Sequence, residues 1–67
     1  MRATLRKAAD AGMAIAADNM GYFYENGLGG LPKDLATAAR WYGKAAQQGD
    51  AFGQAAYALY LERGYGG

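Results

Sequence analysis

The chain has 67 residues, no cysteine, no histidine and a formal charge of +1. Disulfides and imidazole or thiolate metal sites are therefore excluded, and the near-neutral balance supplies no strong field toward nucleic acid or a membrane surface. A chain of this size buries only about 60% of its unfolded surface and is marginal as a monomer. No apolar run approaches the roughly 18 residues of a transmembrane helix. Residues 2–9 carry charge with no apolar segment behind them, unlike a secretory leader. A cysteine-free chain fits a reducing cytoplasm.

In chain order, residues 2–11 are predicted to form a first helix, and Gly12 to turn the chain. A second helix follows over 13–26. Residues 27–30, GLGG, read as a glycine-rich link. In 34–48 the apolar positions Leu35, Ala38, Ala39, Trp41, Tyr42, Ala45 and Ala46 recur at spacings of three and four, the stripe of an α-helix. Asp34 offers an N-cap oxygen just after Pro32, and Gly49 a left-handed residue to end the helix. Four of those seven positions are alanine, so neighbouring helices can approach closely. A last helix covers 50–63, and 64–67 closes the chain. Links this short pair helices antiparallel.

The chain also repeats itself. Residues 8–30, AADAGMAIAADNMGYFYENGLGG, align with 45–67, AAQQGDAFGQAAYALYLERGYGG, at an offset of 37, with eight of 23 positions identical. Most identities are glycines or alanines that punctuate or pack, as in a repeated helix–turn–helix unit. These residues resemble the Sel1-like repeat, a relative of the tetratricopeptide repeat. The family's glycine, alanine and aromatic pattern falls on Gly12, Ala14, Ala16, Gly21, Tyr24, Gly27, Gly29, Asp34, Ala38, Trp41, Tyr42, Ala45, Ala46 and Gly49. Met20 replaces its leucine, Leu31 its valine, and Gly30 is one extra residue. The second copy keeps Gly49, Ala51, Gly64 and Gly66 and departs at Gly53, Tyr57, Ala58 and Leu61. Leu5, Ala8 and Ala9 match only the end of a preceding unit. The resemblance implies an all-α superhelix of about four antiparallel helices. Residues 1–12 would end one unit, 12–48 would form a complete unit, and 49–67 would supply the first helix of the next.

Helix geometry divides the tyrosines. Tyr22 and Tyr24 lie about 200° apart around an α-helix and cannot share a face. Tyr24, one turn beyond Met20, is the core residue. Tyr22 belongs to a stripe with Ile15, Asp18, Glu25 and Asn26. The stripe on the last helix is Phe52, Ala55, Leu59, Glu62 and Arg63. By the resemblance, first helices line a concave surface, so Ile15, Asp18, Tyr22, Glu25, Asn26, Phe52, Leu59 and Arg63 are candidate partner-binding residues. Trp41 and Tyr42 fall on the family's packing positions.

No catalytic constellation is visible. Serine is absent along with cysteine and histidine, and Thr4 and Thr37 have no evident base. The six carboxylates lack EF-hand spacing. Asp18 and Glu25 lie roughly 10 Å apart along the helix axis, too far for a retaining carboxylate pair. The GLGG link has neither the lysine of a P-loop nor a preceding strand. Arg2, Arg6 and Lys7, and separately Arg40 and Lys44, form small basic patches, weaker than a nucleic-acid reader carries. The expectation is a non-catalytic module with no cofactor or metal, binding a protein or peptide partner. The resemblance implies an adaptor, often in bacterial signalling or assembly, or a small inhibitor or immunity-type protein. Two alternatives are a structural, self-associating repeat and, remotely, a hydrolase of the kind ascribed to cysteine-rich relatives. Because solenoids need about three units for stability, the chain is expected to homo-oligomerise or to belong to a longer array. The apolar bulk of Phe52, Tyr57, Tyr60 and Tyr65 on the last helix, where a cap is normally polar, points the same way.

Overall fold

The computed structural model describes residues 2–65, with side chains from residue 12 onward. Its described residues form three α-helices: α1 (Arg2–Asn26), α2 (Leu35–Gln47) and α3 (Ala51–Glu62). The fold is all-α, with three helices where four were expected. The difference lies at Gly12, which sits inside one continuous 25-residue helix rather than at a turn. Glycine ends a helix when the chain can fold back over a neighbour. Glycine permits a reversal without imposing one, and Gly12 does not take the left-handed φ that Gly49 and Gly64 take. The basic patch of Arg2, Arg6 and Lys7, and the partial match at Leu5, Ala8 and Ala9, lie outside the residues whose side chains are described.

The other boundaries follow from local chemistry. The Asp34 carboxylate accepts hydrogen bonds from the Thr37 amide (3.1 Å) and hydroxyl (2.9 Å), starting α2. The Asp50 carboxylate accepts from the Gly53 amide at 2.7 Å, starting α3. Each helix ends on a left-handed glycine, with φ of 65° at Gly27, 83° at Gly49 and 78° at Gly64. Beyond each, an amide reaches back five residues: Leu28 to the Phe23 carbonyl, Asp50 to Ala45 and Tyr65 to Tyr60. This is the Schellman closure, which satisfies carbonyls the helix leaves open.

α2 lies between the other two helices, and α1 and α3 meet each other at few points. Its alanines let both neighbours in. Ala38, Ala39 and Tyr42 form one core with Tyr60 of α3, flanked by Tyr24, Leu35, Ala56, Tyr57 and Tyr65. Ala45 forms a second with Ala14 and Ala17 of α1, against which Trp41 packs. Tyr42 is the largest fully buried side chain, 1% exposed. Burying a ring of this size contributes on the order of 2 kcal/mol. It fits because α1 presents Gly21 beneath it: a Cβ there would stand 2.9 Å from the ring. Gly53 lets α3 approach α2 in the same way, since its Cβ would fall 2.6 Å from that of Ala45.

Candidate functional site

Since α2 separates α1 from α3 on one side of the molecule, the other side is left with a furrow between them. Its wall on α1 is Tyr22 and Glu25. Its wall on α3 is Phe52, Ala55, Ala56, Leu59 and Tyr60, and Tyr42 of α2 forms the floor. The cleft encloses about 370 Å³. Its rim is apolar and open: Tyr22, Phe52 and Leu59 are 52%, 61% and 42% exposed.

The floor is an aromatic array. Tyr42 meets Tyr60 edge-on at 5.4 Å and Phe52 in a tilted contact at 5.9 Å, and Tyr60 meets Tyr65 edge-on at 5.3 Å. Such geometries set the positive ring edge against a negative ring face. The Tyr60 hydroxyl donates to Glu25 Oε1. Burial, then the nearby Glu25 and Asp18 carboxylates, push the Tyr42 hydroxyl up to about 12. Tyr60 is raised by burial and by its bond to Glu25. Both phenols therefore stay neutral at physiological pH. Glu25 is the one charged group on the cleft wall.

Four of the eight candidate residues, Tyr22, Glu25, Phe52 and Leu59, come together around this cleft. The other four line other surfaces. Ile15 is exposed on α1, two turns before Tyr22. The Asn26 side-chain amide donates to the Tyr22 carbonyl at 3.0 Å, closing its own helix. The Arg63 amide donates to the Leu59 carbonyl as the cap of α3. Asp18 turns toward Asp50, the N-cap of α3. Burial comes first in raising its pKa to about 6, and a hydrogen bond with Asp50 adds to this. One oxygen, Oδ1, is buried with no partner, which further disfavours the carboxylate. Asp50 is lowered by the same bond and then by the Gly53 amide. Below about pH 6 the protonated Asp18 carboxyl can donate to the Asp50 carboxylate; above it both are ionised and repel between α1 and α3.

Reading the residues alone missed Tyr42 and Tyr60 as cleft residues, because Tyr42 falls on a packing position and Tyr60 reads as part of the apolar bulk of the last helix. They are core on one side and floor on the other. Trp41 is half-buried, with the Lys44 ammonium 5.0 Å from its ring centre. Among the described residues no helix is long and apolar enough to cross a membrane.

The Sel1 repeat family model matches residues 14–50, which run from the second half of α1 through α2 to the N-cap of α3. Among curated proteins, the chain is 47% identical over 45 residues to a chitin synthase regulator SKT5 of Malassezia restricta. That alignment covers 67% of this chain but 3% of the relative, so the chain spans a small fraction of that protein's length. No solved structure matches the chain. The relative is fungal, and it lends no support to a bacterial setting. Repeats of this kind mediate protein–protein interaction and are typically non-catalytic. A family model covering more than half of the residues, on three helices capped and closed where its glycines and aspartates fall, shows that the chain belongs to the Sel1-repeat family.

Proposed function

We propose that the chain is a non-catalytic binding module whose α1–α3 cleft takes an apolar side chain of a partner peptide, with a lysine or arginine of that peptide directed at Glu25. The observation that carries this reading is the composition of the cleft: an aromatic floor, an apolar rim and a single carboxylate on its wall. Apolar clefts with a few convergent polar groups are the usual form of a binding site. Rim tyrosines and phenylalanines supply contact area at low entropic cost. The module acts as an adaptor, holding a partner's surface rather than transforming it. The name of the fungal relative, a regulator, is compatible with action through a partner.

A displayed peptide library selected on the immobilised chain tests this. Enriched sequences should pair a large apolar residue with a lysine or arginine. Synthetic versions should bind Tyr22→Ala at least about tenfold more weakly, a loss of about 1.4 kcal/mol, with its melting temperature unchanged. Glu25→Gln should lose the preference for the basic residue. Selected peptides that bind Tyr22→Ala as tightly as the parent chain would reject the cleft.

A further inference from the structure

The cleft between α1 and α3 carries more chemistry than an apolar socket needs. Four of its lining side chains are aromatic: Tyr22 from α1, Tyr42 from α2, and Phe52 and Tyr60 from α3. The Glu25 carboxylate stands among them. The rings are not stacked flat. Tyr42 is inclined 60° to Phe52 and 73° to Tyr60, with centroids 5.9 and 5.4 Å apart. Rings set so steeply can turn their negative faces on one point from different directions, which a flat stack cannot. A cation within about 6 Å of such faces is attracted by each ring quadrupole. Among the described residues, those lining the cleft include no lysine or arginine, so Glu25 faces no cation across it. Tyr22 and Phe52 are more than half exposed on the rim, which leaves the way in open.

We propose, in an inference that rests on the cleft being a peptide site, that the residue it takes is an N-dimethylated lysine. The alkyl stem lies on the apolar rim, the ammonium among the rings, and its remaining N–H on Glu25. Counting donors sets the degree of methylation. An unmodified lysine brings three N–H donors and a strongly held hydration shell. Glu25 Oε1 already accepts from the Tyr60 hydroxyl, which leaves Oε2 as the charged acceptor for a ligand. One donor is met there. The others must give up water among ring faces that return little for it, and each unmet donor costs binding. Methylation keeps the positive charge and turns donors into apolar groups that suit the rings. Two methyls leave one N–H for Oε2. A third removes the N–H that the carboxylate takes.

The test titrates the whole chain with N-acetyl-lysine methylamide in its four methylation states, with the matching norleucine compound and with tetramethylammonium. Ring resonances of Tyr22, Tyr42, Phe52 and Tyr60 report binding by NMR. Dimethyllysine should bind at least about threefold more tightly than unmodified lysine, trimethyllysine, norleucine and tetramethylammonium. Phe52→Leu keeps an apolar rim but removes a ring face, and should narrow the advantage over norleucine. Glu25→Gln should bring dimethyllysine and trimethyllysine together. The parent-chain comparison decides the matter should a variant fail to fold. A smaller advantage over any of the four, a tighter monomethyllysine, or no shift at any of these rings would overturn the proposal. So would folded variants that leave both preferences intact. If library-selected peptides still need Tyr22 in those cases, the peptide cleft stands and only its methylated ligand falls. If they do not, both fall.

Discussion

Gly53 shows how far one hydrogen atom can decide helix spacing. Alanine normally favours a helix interior over glycine by about 1 kcal/mol. At Gly53 a methyl would stand 2.6 Å from the Ala45 Cβ and 2.9 Å from the Ala46 amide nitrogen. Those atoms belong to α2 itself and cannot swing aside, so overpacking outweighs propensity. Gly53→Ala should lower stability by about 1–3 kcal/mol in urea denaturation; a stabilised variant would mean that α2 and α3 are further apart than described. Asp18 gives the pH counterpart. Its pKa of about 6 in the folded chain exceeds the roughly 3.9 of an unfolded aspartate. The folded state therefore binds more protons between those values, and its stability falls as pH rises through that window. Asp50 is lowered and acts oppositely, its contribution vanishing on acidification below the usual carboxylate range. Melting temperature should drop between about pH 4 and about pH 6.5. Asp18→Asn, whose amide donates at any pH, should flatten that drop and melt above the parent chain at the higher pH. A parent chain with no drop across that interval would contradict the Asp18–Asp50 bond.

At the scale of the element, α1 is the instructive case. A glycine aligned with a helix-ending glycine elsewhere in the chain suggests a turn, yet Gly12 lies in mid-helix. Gly49 and Gly12 share the same local sequence signal, and a Cβ at either would meet nothing within 4 Å. At Gly49 the chain turns with φ of 83°, so that Gly53 of α3 can close against Ala45. Gly12 takes no left-handed φ and the helix runs on. Gly12→Ala should therefore stabilise the monomer by about 0.5–1 kcal/mol and raise its helical circular dichroism. A loss of helicity would restore the expected turn. The stop signals at Gly27, Gly49 and Gly64, and the start signals at Asp34 and Asp50, were legible because cap and partner lie within one turn of each other.

At the scale of the molecule, three helices leave α1 and α3 joined across the cleft chiefly by side chains. The Tyr60–Glu25 bond is one such tie, spanning 35 residues of sequence. Tyr60→Phe keeps the ring in its aromatic array and removes only the hydroxyl. It should lower stability by about 0.5–1.5 kcal/mol, the net contribution of one hydrogen bond. A double-mutant cycle with Glu25→Gln would read the coupling, and a coupling of zero would show that the two residues do not meet in solution. So small a core, with apolar faces open on both α1 and α3, is the setting in which association adds most to stability.

The residues alone determined the helical class, the 37-residue repeat, the capping aspartates, the closing glycines, and which of Tyr22 and Tyr24 faces outward. Each is written in spacings of a few residues, where the periodicity of a helix and the reach of one hydrogen bond suffice. Only the tertiary structure decided that Gly12 continues a helix, that Asp18 meets Asp50, that Glu25 takes the Tyr60 hydroxyl, and that two core tyrosines also floor a cleft. Those outcomes depend on how closely α3 approaches α1 over α2. That distance is set by the summed size of side chains on three helices, a quantity no local stretch contains.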